Sequence, residues 1–334
     1  VASTRLDATA LGLLVALAFV WAPAFILIRA GLLAGASPFL FAGIRFALAA
    51  GIGALVALAR REPWPRGRQL GREIVVGAFA LMGGYALLLY WGEQSTPGGY
   101  ASVMIATAPI LSAAFAYWLL PGERFAPRGA LALGLGFAGV TLLFVPDLAG
   151  PGASPAGAAA ELGAALVFSV GSVLLRRWST PAPGLWVISL QFAASAALFL
   201  PIVAFDAGSE RFPLTIVPVV TVVYLAAVSS VLGFVLYFAL HQRVGPARAN
   251  LVSYVNPTVG LLTGLLLLGE VPGPLELAGL ALIVAGIAFV QREGSARTAV
   301  QGARPPGAGP IPSAGPAPGR ERGSPAGGTD ATVR

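Results

Sequence analysis

Apolar runs of membrane length follow one another along most of the chain, and that succession constrains the fold more than any single motif. About 30 Å of hydrocarbon is crossed by roughly 20 helical residues at 1.5 Å each. Ten stretches reach about that length, at roughly 10–30, 38–59, 74–92, 99–120, 128–145, 157–175, 184–205, 215–240, 247–268 and 274–290. A soluble domain of this size needs a charged surface, yet only 10% of residues are charged, 57% are hydrophobic and mean hydropathy is +0.81. The run at 10–30 is too long for a signal peptide and has too many successors. The runs predict an all-α polytopic membrane protein with ten transmembrane helices.

Loop charges orient that bundle. All 21 basic residues are arginine, and with the N-terminus inside, 18 fall in inside segments against Arg29 and Arg211 outside. Arg45 lies within a span. This fits the positive-inside rule and predicts cytoplasmic termini. The net charge of +7 is therefore a topology signal, and no nucleic-acid partner is needed to explain it; the partners expected are the lipid bilayer and a small-molecule substrate.

The two halves of the chain repeat each other. The stretch from Gly245 to Glu270 echoes Pro97 to Glu123, with Gln94 and Gln242, Ala101 and Ala249, and Pro109 and Pro257 in register at 148. After the extra Pro121, Glu123 and Glu270 align at 147, as do the segments starting at Leu135 and Leu282. The expected organisation is a first repeat over 10–145, a Pro/Gly/Ala linker over 146–156, a second repeat over 157–291 and a disordered cytoplasmic tail over 292–334. Five spans per repeat insert the second copy upside down. Such inverted-topology repeats are typical of secondary transporters, whose substrate sites lie near the midplane between the halves.

Several chemistries are excluded by residue type. The chain has no cysteine, so disulfides, thiolate metal sites and cysteine nucleophiles are out. It has no lysine, which removes a P-loop nucleotide site and Schiff-base chemistry. No cofactor and no metal are expected. An intramembrane serine protease needs a histidine inside the membrane, and the single one, His241, sits at a span edge beside Arg243, where a surface position is expected. The aspartates at 7, 147, 206 and 330 lie outside the spans, against an aspartyl protease. A sensor or scaffold would carry a soluble domain. The sequence therefore points away from an enzyme.

A transport path would be built from polar groups inside the spans. Arg45 is the leading candidate, facing either a cavity or a structural partner such as Glu161, because intramembrane charges need one or the other. Glu161 is either a solvated interfacial carboxylate or a proton-coupling group, and Glu93, at a span end, is expected to be solvated. Trp21, Tyr85, Gln191, Tyr237, Asn250, Tyr254 and Asn256 are candidate substrate-binding residues, and Tyr90 is a further polar-tipped one. Gln191 stands 146 residues after Arg45 and is its repeat counterpart. Pro109 and Pro257 are either static kinks or gating hinges. Ser112/Ala116 and Gly260/Gly264 read as helix-packing pairs, and the Gly-Glu pairs at 123 and 270 as caps.

These features together resemble the drug/metabolite transporter superfamily and, within it, EamA-type exporters: ten spans in two halves, Trp21, Arg45 and the Gly-Pro-Ala-Arg-Ala…Asn-Pro…Gly-Glu stretch. The resemblance covers about 10–291 and departs from the usual pattern at Phe168, where many second repeats carry tryptophan, and at Pro121. It implies an inner-membrane carrier of the plasma membrane that exports small metabolites such as amino acids by alternating access.

Overall fold

A computed structural model describes residues 7–67, 69–96, 98–120, 127–143, 145, 154–178, 183–205, 211–263 and 273–302. These residues form helices and connecting turns, with no strand among them. We number the helices α1 (Ala8–Leu33), α2 (Pro38–Ala59), α3 (Leu70–Val76), α4 (Gly83–Gly92), α5 (Gly98–Ile105), α6 (Ala108–Leu119), α7 (Pro127–Leu143), α8 (Pro155–Arg177), α9 (Leu185–Phe205), α10 (Ile216–Tyr224), α11 (Gly233–Val244), α12 (Pro246–Ala249), α13 (Val252–Thr263) and α14 (Pro274–Gly302). Among the described residues, six continuous helical stretches are long and apolar enough to cross a membrane: α1, α2, 70–92, α8, α9 and 216–244. Shorter apolar helices cover 103–119, 129–142 and 277–289. The chain is thus an all-helical polytopic membrane protein.

Local sequence sets the helix ends. Asp7 caps α1 by accepting from Ala10 N at 2.7 Å. Prolines open α2 and α8 directly after Ser37 and Ser154, where a missing N–H costs nothing. Gly245 takes φ +80° between α11 and Pro246, a left-handed conformation that favours glycine. The final helix runs to Gly302, twelve residues past the expected end at Val290. Its extension, rich in Ala, Gln and Arg, has helix-forming composition and grows from an already formed helix. Residues 303–334 of the expected tail, Glu123 and Glu270 lie outside the described residues.

Two long helices contain a π-helical segment, Gly77–Met82 between α3 and α4 and Leu225–Leu232 between α10 and α11. They begin 148 residues apart, the spacing of the sequence repeat. Each widens the helix locally and leaves the ladder of hydrogen bonds irregular.

The two copies meet through like elements. Helices α2 and α9 pack along their length, antiparallel, with Gly43 against Phe199 and Gly53 against Ser189. Near the middle, Phe46 stacks on Phe192 with centroids 5.9 Å apart and planes at 18°. Helices α7 and α14 form a second such pair. A Cβ on Gly139 would lie 2.6 Å from the Gly279 carbonyl, and one on Gly286 would lie 2.7 Å from that of Ala132. Glycine at both positions permits backbone approach where no hydrophobic drive separates helix from lipid.

The prolines in register play different structural parts. Pro109 stands at the start of α6, after a break at Ala106–Thr107. Pro257 lies inside α13, and the break in that arm comes earlier, at Asn250–Leu251. Of these two, Pro257 therefore interrupts a helix interior and Pro109 opens one.

Candidate functional site

A cavity of about 750 Å³, its opening included, lies between the halves. Its wall draws on α1, α2, the first π segment and α4, α5, α6, α8, the second π segment, α11 and the α12–α13 arm. Trp21, Phe25, Phe46, Tyr85, Phe168 and Phe234 supply aromatic surface, while Arg45, Ser229, Asn250, Ser253 and Asn256 supply polar groups.

Arg45 is the cation of this wall and is 8% exposed. Its Nε donates to Ser230 Oγ at 3.0 Å and its two terminal nitrogens to Tyr90 OH at 3.1 Å and Ser229 Oγ at 3.3 Å. The guanidinium carbon also sits 5.3 Å from the centroid of the Phe46 ring. All three acceptors are neutral hydroxyls. Of the two alternatives for Arg45, the pairing with Glu161 is not made: Glu161 is buried against Thr96, and the ion pair seen among the described residues is Arg243 with Asp7 at 4.0 Å. A guanidinium has five N–H groups, so these three bonds fix its orientation and leave donors for a ligand. In low dielectric, donors of this kind are chemically suited to pairing with an anionic group.

Beneath Arg45 the aromatic residues form one cluster. Trp21 stacks on Tyr237 at 5.5 Å and meets Phe168 and Phe234 edge-on at 6.4 and 5.6 Å. Its indole N–H donates to Ser229 O at 2.9 Å, within the second π segment. A polar network closes the next layer. Tyr237 OH donates to Asn250 Oδ1 at 3.0 Å, and Asn250 Nδ2 reaches Ser112 Oγ at 2.6 Å and Ser172 Oγ at 3.3 Å. Ser112, expected as a packing residue, is thus a hydrogen-bond partner that joins the two halves.

Five of the candidate residues line the cavity: Trp21, Arg45, Tyr85, Asn250 and Asn256. Tyr237 stands behind it, under Trp21. Tyr254 faces away, donating to Leu133 O at 2.9 Å and lying against Gly136. Gln191 belongs to a separate, small pocket with Glu73 and His241, and donates to Glu73 O at 3.0 Å. It packs on the π region of the first half as Arg45 packs on that of the second, so the counterparts sit in different pockets. Pro109 and Pro257 are not among the lining residues.

Two residues expected at the surface are buried. His241 is 1% exposed, with Nε2 2.8 Å from Ser172 O; the α8 backbone covers it. Glu93 is also 1% exposed, because α8 begins directly over the end of α4. Ser229 and Ser230, which orient Arg45 together with the polar-tipped Tyr90, escape a reading based on intramembrane charge and aromatic handles.

A membrane-embedded helical bundle enclosing a mostly apolar cavity with one cation defines a small-molecule carrier. The chain belongs to the EamA-like transporter family, whose model matches it twice, over residues 8–145 and 156–292. It is 32% identical over 279 residues to a probable terminal-alkyne amino-acid exporter of Streptantibioticus cattleyicolor, covering 81% of this chain and 90% of the relative. It is 31% identical over 285 residues to the inner membrane transporter YedA of Escherichia coli K12, covering 84% and 89%. A probable amino-acid metabolite efflux pump of Salmonella typhimurium is 27% identical over 276 residues, covering 80% and 90%. A solved crystal structure superposes with a TM-score of 0.69 at 24% identity, covering 87% of this chain and 99% of its own, and shows the fold. The protein is a membrane transporter.

Proposed function

We propose that this transporter exports small amphipathic metabolites, amino acids or their derivatives among them, across the bacterial inner membrane by alternating access. The observation that carries the reading is the cavity itself. One preoriented guanidinium faces a chamber with aromatic walls and amide groups, which suits a ligand with a carboxylate and an apolar body. The names of the relatives from Streptantibioticus and Salmonella point to the same chemical class.

Ten spans in two inverted five-helix repeats supply the mechanism. Support comes from the π segments 148 residues apart, from the Phe46–Phe192, Gly139–Gly279 and Ala132–Gly286 contacts, and from the crossed packing of Arg45 and Gln191. With the arginine-rich ends inside, the Tyr237–Asn250–Ser112 layer lies on the cytoplasmic side of the cavity as an inner gate. Rocking of one repeat against the other would open this layer and close the Arg45 side. The energy comes from an ion gradient or from the cargo gradient.

The test compares metabolites released by cells that lack the protein, overexpress it, or overexpress Arg45→Ala. Export of an amino-acid-class compound should rise with the wild type, and at equal protein level the variant should lose at least ten-fold of that rise, the loss of about 1.4 kcal/mol of binding. Equal export by the two forms would refute the role of Arg45.

A further inference from the structure

Behind the Arg45 wall two carboxyl groups are buried together. Glu93, one residue past the span that ends at Gly92, is 1% exposed and Glu161 of α8 is 0% exposed. Neither Glu93 oxygen has a hydrogen-bond partner, nor has Glu161 Oε2. Gly92, the neighbour of Glu93, lies against Glu161: a Cβ there would fall 2.7 Å from Glu161 Cγ and 3.2 Å from its Oε1. An unpartnered oxygen of an ionised carboxylate is strongly disfavoured in such a place, whereas a protonated carboxyl is tolerated.

Thr96 reaches this pair from the turn after α4. Its hydroxyl donates to Gly92 O at 2.9 Å and also touches Glu161 Oε1. A threonine hydroxyl carries one hydrogen, and a carbonyl oxygen donates none. That hydrogen serves Gly92 O or Glu161 Oε1 but not both in full, and Glu161 Oε2 has no partner among the described residues.

We propose that Glu93 and Glu161 form a proton-binding site that holds at least one exchangeable proton at neutral pH. As a coupling site it rests on the transport reading above; as a proton site it does not. The charged and titratable groups facing it are Arg29 of α1, which donates to Glu93 O, Arg45 of α2, and Tyr85 and Tyr90 of α4. Burial and the neighbouring Glu161 push the Glu93 carboxyl well above the ordinary range, against the opposing pull of Arg29 and Arg45. Arg45 connects this site to the cavity, since Tyr90 OH accepts from it. Release of the proton to water leaves an anion that attracts the same guanidinium a cargo carboxylate would use. Proton occupancy and cargo affinity are therefore linked, an anionic cargo binding more tightly while the pair is protonated.

Infrared difference spectroscopy of the full chain in nanodiscs, titrated with pH, tests the proton site. A protonated-carboxyl band should be present at neutral pH, vanish as pH rises, and be reduced in Glu93→Gln and in Glu161→Gln. In Arg45→Gln it should persist to higher pH, because a cation that favours ionisation is gone. Glu161→Asp, which keeps the acid, should retain the band at a shifted frequency. Absence of any such band in the wild type at neutral pH overturns the proposal, as does a band unchanged in both glutamine variants. The band is read without cargo, so failure of the transport reading would leave this result standing.

Discussion

Phe46 and Phe192 occupy matching positions of the two repeats, 146 residues apart in sequence, and stack on each other with centroids 5.9 Å apart. The next residues toward the N-terminus are Arg45 and Gln191. The duplication thus places one aromatic pair at the junction of the halves and two unlike polar groups on either side of it. Under the proposed function, an asymmetric ligand would meet a cation from one side of this junction.

The stacked pair should be energetically coupled. Phe46→Ala and Phe192→Ala should each lower thermal stability in detergent, and the double variant should lose less than the sum. The coupling expected is about 0.5–1.5 kcal/mol, the contribution of ring packing beyond buried area. Strict additivity would show that the stack holds nothing together.

Stability should depend on pH through Glu93. Its carboxyl titrates higher in the folded protein than in the unfolded chain, so the folded state binds the proton more tightly. The resulting stabilisation is fully present below the ordinary glutamate range of about pH 4.3 and is lost as pH rises through the elevated folded value. Thermal unfolding of the wild type should therefore move to lower temperature across that window. Glu93→Gln should flatten the dependence. A wild-type profile that rises over the same window would contradict the burial of Glu93 as an acid.

The arginine distribution predicts cytoplasmic termini. Reporter fusions that need export should be active after Gly150 and inactive after Pro65. Activity after Pro65 would invert the bundle and put the Asn250 layer on the outer side.

Much of the fold was legible because membrane helices announce themselves by length and apolarity, residue by residue. Trp21, Arg45 and Asn250 were found by the same logic, since polar groups are costly in hydrocarbon and gather at a cavity. What escaped depends on how one helix end meets another. Glu93 and His241 look solvated at span ends, and only the seating of α8 over both buries them. Glu161 looked like a partner for Arg45, but the turn after α4 brings Thr96 to it instead. The π segments carry no sequence mark that propensity rules detect, yet Ser229 and Ser230 on one of them hold the guanidinium. Pro109 and Pro257 share a register, and their unlike roles come from where each arm breaks, which no single residue encodes.

Occupancy of the cavity by cargo is the central claim, and the absence of native cysteine makes it directly measurable. Ser253 lines the cavity and donates to Asn250 O at 2.9 Å, so Ser253→Cys places a single thiol in the wall with little change of volume. The rate at which a maleimide modifies that thiol is to be measured in membrane vesicles, with and without the metabolite whose release follows expression. Slower modification with that metabolite, and no slowing with a compound the cells do not export, is the predicted result. An identical rate under all conditions would contradict the account.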